Sequence, residues 1–583
     1  MSGDGNGDTD SQAEVDVDVE ELARKYALQN AVKYESDAET GAVMGKLMGE
    51  HPELRQKGDE IAGEIGKVVA EVNSLSDDER HKRLEEIAPE LIDELEEGSE
   101  EDEGLPDLPN VDEGDEVVMR FAPNPNGPPT LGSARGMVVN DEYVDEYGGK
   151  LILRFDDTDP VNKPPLTDAY DWYEEDASWL GMEVDEVYRA SDRVSTYYDY
   201  AEELIEKGGA YVCHCEQEKF SDLKNSGKAC PHRGRSVEEN LEEWEKMVDG
   251  GYDEGEAVLR VKTEIEHKNP ALRDWVAFRV VKTPHPVVGD RYAVWPMLDF
   301  QSGIDDHLLG VTHIIRGKDL RSSEGRQNFV YDYFGWEYPE TVHWGRISIE
   351  EYGTLSTSSL AEAVERGEYD SWDDPRVPTV RALRRRGIQP EALRQSLLDL
   401  GVSESDIDFS MDHVYSENRK IVDDTANRYF FVRDPVEVEI EDAEPTTATP
   451  SLHPDKDEDR GVREIDVDDT VVLEPNDTED LEVGDRLRLK DLYNVEVVSE
   501  DPLKLRGIGD DLSLVRDEGV DVVHWLTPDT GREGRLLTPD GEEEGVVEKG
   551  AAEEKDEVVQ FERVGFARIE ETEPVVTAVF SHR

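Results

Sequence analysis

Residues 117–151 constrain this chain more than any other stretch. An apolar strand, Val117-Val118-Met119-Arg120-Phe121, runs into a Pro/Gly-rich loop that ends near Pro129. The pattern then predicts a helix over about 132–147, stopped by Gly148-Gly149, and a second strand from Leu151. Strand, loop, helix and strand in so short a span form a nucleotide-binding α/β unit, with the helix carrying the chain back to a parallel strand. Thr130, Gly132 and Ser133 sit where the helix begins, and its unbonded N–H groups and positive dipole end suit a phosphate. Taken alone, the same junction is also an ordinary β–α connection.

The rest of the chain must fit around that unit. At roughly 150 residues per domain, 583 residues suggest about four domains. Lys plus Arg number 63 against 141 Asp plus Glu, a net charge of −78, yet 36% of residues are hydrophobic and 9 Trp, 21 Tyr and 13 Phe are present. That is enough apolar surface for large cores, so the acid belongs on the outside of folded domains. It is spread along the whole chain rather than gathered in a tail, which points to a cytoplasm of molar salt, where the Debye length is only ~3 Å. Under those conditions an acidic protein can still bind a nucleic acid, because long-range repulsion is screened. No segment approaches the ~18 apolar residues of a membrane span, and the first residues lack the basic and apolar regions of a secretory leader. Three Cys, an odd number, exclude a disulfide framework. The expectation is a soluble, cytoplasmic protein.

Residues 1 to about 15 are polar, and from Val15 to about Glu97 the pattern is helical, with Leu84, Ile87, Leu91 and Leu95 at helical spacing. An acidic stretch from Glu97 to about Asp115 reads as a linker. Late in the chain, Pro435–Ile440, Arg486–Leu489 and Val558–Phe561 alternate between Gly, Pro and Asp clusters, which predicts antiparallel β-barrels after about residue 430. Before them lies a helical stretch with a basic patch, Arg381 and Arg384-Arg385-Arg386. All three cysteines fall within eighteen residues, as Cys213-His214-Cys215 and Cys230-Pro231-His232. C-x-C…C-x-H offers three thiolates and one imidazole, a set that suits a closed, tetrahedral, structural Zn²⁺ site. Such a metal would hold together a small insert too poor in core to fold alone.

The string R-F-A-P-N-P-N-G-P-P-T-L-G-S-A-R-G at 120–136 resembles the first signature of class I aminoacyl-tRNA synthetases, in the version of the glutamyl and glutaminyl enzymes. Five more stretches match that group in order and spacing: R-F-D-D-T-D-P (154–160), L-D-F-Q-S-G-I-D-D-H-L-L-G-V-T-H-I-I-R-G-K-D (298–319), L-S-T-S-S (355–359), W-D-D-P-R-V-P-T (372–379) and L-R-R-R-G-I (383–388). The resemblance runs from about residue 115 to the C-terminus. It implies a multidomain α/β plus all-β protein: a helical N-terminal extension and acidic linker (1–110), a Rossmann-like catalytic domain in two parts (111–210 and 291–365), an acceptor-binding insert with the zinc knuckle (211–290), a helical stem-contact region (366–430) and anticodon-binding β-barrels (431–583). That β-barrel end is the archaeal arrangement.

The chemistry it implies is activation of an amino acid by ATP with Mg²⁺, followed by transfer to the 3′ end of tRNA. In-line attack of a carboxylate on the α-phosphorus makes catalysis mainly a matter of positioning and charge stabilisation. By resemblance, Arg120 reaches the substrate side chain and Asp156 accepts its ammonium. Thr130, Gly132, Ser133, Ser356 and Thr357 form the catalytic signatures and, with Lys318, the ATP site. Cys213, Cys215, Cys230 and His232 hold structural Zn²⁺, and Arg381, Arg384, Arg385 and Arg386 contact tRNA. Arg316 stands at the position of the glutamyl enzymes' arginine. A second guanidinium beside Arg120 complements a γ-carboxylate and would be unpaired against a neutral amide. The implied substrates are therefore L-glutamate and tRNA(Glu); charging of tRNA(Gln) as well and a monomeric state are expectations that the sequence leaves open. A glutaminyl enzyme and a tRNA-binding protein without catalysis are the rival readings.

The pattern also breaks. Thr130 and Ser133 replace both signature histidines, Thr354 and Thr357 stand where the second signature carries lysine, and Leu298 replaces a tyrosine that packs on the substrate. Hydroxyls can donate to a phosphate but bring no positive charge, which leaves Mg²⁺, backbone N–H groups, Lys318 or Arg135 to supply it.

Overall fold

The computed structural model describes residues 19–33, 38, 40–50, 58–88, 91, 104–112, 114–352, 357–454 and 460–583. Thr354, Ser356 and Leu95, singled out above, lie outside them. Contacts divide the chain into two units, Met1–Gly104 and Leu105–Arg583.

The first unit is helical, as its periodicity requires, with helices Val19–Lys33, Thr40–Glu50, Gly58–Asn73 and Asp77–Ile87. Leu84 and Leu91 enter its core with Ala27, Leu47, Ile65 and Val69. Ile87 does not: it is 41% exposed in the last turn before the helix ends at Ala88. The acidic stretch read as linker is only partly one, because Leu105 and Leu108 are buried in the core of the second unit beside Tyr143. Tyr143 and Tyr147 fasten it there, the first donating to the Pro106 carbonyl and the second accepting from the Leu108 N–H.

In the second unit, strands β1 (Val118–Phe121), β2 (Lys150–Phe155) and β3 (Glu186–Arg189) form, and the helix Leu131–Tyr147 connects the first two. The insert follows as an antiparallel sheet in chain order, β4 (Ala210–Cys213), β5 (Val258–Val261), β6 (Val276–Val280) and β7 (Val294–Pro296). After helix Leu298–Leu308 the chain returns to the first sheet with β8 (His313–Gly317) and β9 (Glu340–Trp344). The order β3-β2-β1-β8-β9 is parallel throughout. The strand order therefore reverses between β1 and β8, and in such sheets ligands bind beyond the strand C-termini at that switch point.

Helices Thr357–Glu365, Val380–Arg385, Pro390–Leu398 and Met411–Val422 build the helical region. Two β-sheets of six and seven strands finish the chain, each with its own apolar core. The three late strands read from alternation are present, but the pairing is not purely antiparallel. Val436–Glu441 runs parallel to Leu503–Gly509, and Gly531–Thr538 runs parallel to Val576–His582. Alternation reports which face of a strand is buried and is blind to the direction of its neighbour. No helix among the described residues is long and apolar enough to cross a membrane.

Candidate active site

A cavity of about 420 Å³ opens at the β1/β8 reversal, and Arg120, Asp156, Leu298, Arg316, Gln327 and Trp344 are among its lining residues. Arg120 comes from β1, Asp156 follows β2 and Arg316 ends β8, so three residues far apart in sequence converge because their strands are neighbours. Leu298, 46% exposed, lies at the start of the helix that precedes β8, with its side chain open.

Charge in this cavity is organised by two residues the sequence reading passed over. Arg154 sits in an otherwise apolar strand and is wholly buried. It donates to Asp156 at 2.8 Å and to Asp306 at 2.7 Å. Asp306 also pairs with Arg120 at 3.2 Å. Burial alone would raise the Asp306 carboxyl, but the two guanidiniums overcome it and hold it down at about 2. A charged residue inside an apolar strand was the available signal, since a buried guanidinium demands a buried acid.

Arg316 is treated differently. It is 7% exposed, its Nη1 donates to the neutral amide oxygen of Gln327 at 3.2 Å, and its Nε has no partner. No ion pair among the described residues includes it. Burial, reinforced by the nearby Arg120 charge, lowers its pKa below the ordinary arginine value. Three guanidiniums thus line one cavity: Arg120 is paired with Asp306 and Arg279 with Asp159, and Arg316 alone of the three has no carboxylate partner.

The first signature closes onto the helical region. Leu131 N–H donates to the Pro378 carbonyl at 3.0 Å and Val380 N–H to Pro129 at 2.9 Å, forming a short bridge between Thr130 and Thr379. Thr130 occupies the N-cap of helix Leu131–Tyr147, but its hydroxyl caps none of the first N–H groups; it lies 3.4 Å from the Ser133 hydroxyl. A Cβ on Gly132 would meet nothing nearer than Thr130 Oγ1 at 3.9 Å, so this turn stands open to a ligand. At Gly127 the reverse holds: a Cβ would lie 2.6 Å from Thr357 and 2.8 Å from Trp372, so glycine is required where the two signatures touch.

The other expected residues are placed unevenly. Lys318 is engaged by Asp406 at 2.7 Å and by the Glu404 carbonyl, and does not line the cavity. Arg135, a candidate source of positive charge, is spent inside the fold. It lies over the Trp344 ring and donates to the Gly401 carbonyl, and burial pushes its pKa down to about 10. Of the basic patch, Arg381 pairs with Glu175 and Arg385 forks onto Glu570, while Arg384 is exposed near the Trp179 ring. All three line an open cavity of about 880 Å³ between the helical region and the last sheet. Arg386 is a correction. It is 1% exposed and donates to the Phe580 and Ser581 carbonyls and to Tyr352 and Tyr415, so it ties the final strand to the helical region and cannot reach a tRNA.

Cys213, Cys215, Cys230 and His232 converge with all four ligand atoms within 4.8 Å of one another. Cys213 and Cys230 sulfurs lie 3.8 Å apart, and Cys215 Sγ is 3.4 Å from His232 Nδ1. Around a tetrahedral ion with Zn–S of about 2.3 Å, two sulfurs stand about 3.8 Å apart.

Comparison with known proteins identifies the family. Residues 116–424 match the family described as tRNA synthetases class I (E and Q), catalytic domain, and residues 426–507 and 522–570 match two anti-codon binding domains of the same group. The chain is 54% identical to the glutamate–tRNA ligase of Methanothrix thermoacetophila over 97% of its length and 99% of the relative's. It is 54% identical to that of Haloarcula marismortui, over 96% of this chain and 98% of that one. A crystal structure of a glutamate tRNA ligase from Elizabethkingia meningosepticum superposes with a TM-score of 0.41 and 22% identity, over 54% of this chain and 71% of that chain. A catalytic match over more than half the chain, followed by both anticodon-binding domains, shows that this protein belongs to the class I tRNA synthetases of the E and Q group.

Proposed function

We infer that this chain is a glutamate–tRNA ligase, which condenses L-glutamate with ATP to glutamyl-adenylate, releasing pyrophosphate, and transfers the glutamyl group to the 3′ end of tRNA(Glu), releasing AMP. The observation that carries the reading is Arg316, a buried guanidinium that faces the cavity with no carboxylate of its own. A γ-carboxylate would complete that pair, whereas a γ-amide would leave the charge unmet. Arg120 supplies the second arm of the clamp, and Asp156, held by Arg154, is placed to accept the substrate ammonium. With side chain and ammonium held, the α-carboxylate is left free to attack phosphorus, and positioning of this kind supplies most of the rate. The N–H groups and hydroxyls at Thr130, Gly132 and Ser133 lie where a phosphate would be received. Thr357, which packs at Gly127 of the same loop, is proposed for the nucleotide side as well, with Ser356 beside it in sequence.

Among the described residues the only cluster with metal-ligand character is the Cys/His set, so Mg²⁺ fits here as an ion carried by the nucleotide's phosphates. There it would neutralise phosphate charge that the two signatures, lacking histidine and lysine, do not. The Cys/His set fits Zn²⁺ in donor chemistry and spacing, and its role would be to hold the insert. Arg381, Arg384 and Arg385 border the large cavity beside the last sheet and are the proposed tRNA contacts.

The test is tRNA-dependent ATP–pyrophosphate exchange with glutamate and glutamine side by side, in molar KCl because the net charge is −78. Exchange with glutamate and little with glutamine is expected; equal rates, or a preference for glutamine, would reject the reading. For the metal, elemental analysis of protein purified without added zinc should find about one zinc per chain. Cys230→Ser should lower that content, and a metal-free, fully active native protein would remove zinc from the account.

A further inference from the structure

We propose that Gln327 is a specificity-determining positioning residue: a neutral acceptor that fixes Arg316 in place without neutralising it. The proposal rests on the glutamate reading of the cavity and adds the device that keeps the second guanidinium's charge available.

Gln327 lies on helix Arg321–Phe334 and is 1% exposed. Its amide oxygen accepts from Arg316 Nη1 at 3.2 Å and from the Tyr338 hydroxyl at 2.6 Å, while its amide nitrogen donates to Ser302 Oγ at 2.8 Å. The orientation of the amide is not arbitrary. A guanidinium can only donate, so the oxygen must face Arg316 and the nitrogen must face away. The side chain is also gripped along its stem, since Gly303 leaves room for it: a Cβ there would lie 3.2 Å from Gln327 Cγ. Tyr331 donates to the Gly303 carbonyl at 2.9 Å and holds that close approach.

What matters is the charge that is missing. Arg120 and Arg154 share Asp306, and Arg154 has Asp156 as well. The buried arginines Arg135 and Arg386 also lack a carboxylate, but carbonyls, tyrosine hydroxyls or an aromatic ring surround them; Arg316 opens on the cavity, and Gln327 stands where a carboxylate would satisfy it. An amide meets the directional need of the guanidinium and leaves its charge uncompensated. The free enzyme thereby keeps a buried positive charge whose natural partner is an anionic side chain of the substrate. A carboxylate at this position, differing from the amide by one atom, would settle the charge within the protein and remove the reason to prefer glutamate over glutamine.

The experiment compares native protein, Gln327→Glu, Gln327→Met and Arg316→Ala in tRNA-dependent pyrophosphate exchange, with kcat and KM measured separately for glutamate and glutamine. Gln327→Glu is expected to lower kcat/KM for glutamate on the order of a hundredfold, chiefly by raising KM, as when a buried charge pair is lost. Its kcat/KM for glutamine should stay level or rise, so the ratio between the two substrates collapses. Gln327→Met keeps the volume and the free charge but removes the acceptor. It should cost about tenfold on glutamate, through a looser Arg316, and keep the preference over glutamine. A purely structural role would move both substrates together in both variants. Glutamate kcat/KM within threefold of native in Gln327→Glu overturns the proposal. So does a Gln327→Met variant that is unchanged on glutamate, or one that loses discrimination, and this arm stands even if Gln327→Glu does not fold. Native protein that fails to use glutamate, or Arg316→Ala that uses it undiminished, overturns instead the reading of the cavity on which the proposal rests.

Discussion

Arg316 and Arg386 are both buried arginines, and they sit in two regions that use burial for opposite ends. At Arg386 the guanidinium meets two backbone carbonyls and two tyrosine hydroxyls, and nothing is left over. At Arg316 one amide oxygen is met, one nitrogen is left without a partner and no carboxylate answers the charge. Desolvating a cation that is incompletely matched costs stability, and such a residue at a cavity is a candidate for completion by a ligand. The number of partners, and not burial or local basicity, separates Arg386, which ties the final strand to the helical region, from Arg316, the proposed arm of the substrate clamp.

The largest effect that would sharpen this contrast is on activity. Arg316→Ala should lower glutamate kcat/KM by about a hundredfold while thermal stability holds or rises, because an incompletely paired buried charge is removed. An unfolded variant, or one with native kinetics, would break the comparison on the substrate side. Next comes Arg386→Ala. Stranding two carbonyls and two hydroxyls should cost about 3 kcal/mol in denaturant unfolding, with no change in the salt dependence of tRNA binding. A lost phosphate contact, seen as a shallower dependence of affinity on salt, would return Arg386 to the tRNA surface.

The smallest effect concerns the carboxylate that faces the exposed part of the basic run. Asp176 is fully buried, its oxygens make no hydrogen bond and Arg381 stands 4.0 Å away. Burial raises its pKa to about 7, against the pull of Arg381 and Arg384. Its folded value thus lies above its unfolded one, so the native state holds the proton longer and stability declines as pH rises from about 4 to about 7. Asp176→Asn should flatten that decline, leaving stability unchanged near pH 4 and about 1–2 kcal/mol higher near pH 8. Urea unfolding at the two pH values reads the difference, and an equal effect at both would discard the buried-proton account.

The sequence was most legible where structure is local. The first strand, its loop and its helix begin and end within a residue or so of expectation, because glycine, proline and apolar period all act over a few positions. The convergence of Cys213, Cys215, Cys230 and His232 was also legible, since four residues of two rare types at tight spacing leave few alternatives. What stayed hidden depends on partners distant in sequence. Arg154 and Asp306 are 152 residues apart, so neither motif alone could announce their ion pair. The run Arg384–Arg386 looked uniform as text, but a helix turns about 100° per residue. That rotation leaves Arg384 in solvent, brings Arg385 to Glu570 and buries Arg386.

The strand order has a further consequence in time. β1 is central in the finished sheet, yet its neighbour β8 begins only at His313, after the whole insert. At translation rates of about 5–20 residues per second, one edge of β1 waits on the order of ten seconds for its partner. An unpaired apolar edge invites pairing with the wrong chain, and an inward-pointing charge is a recognised defence. Arg120 lies in that strand, and Asp306 reaches the ribosome's exit only shortly before β8 does. Arg120, the proposed clamp on the substrate, thus also places a charge on the strand edge that waits longest for its neighbour.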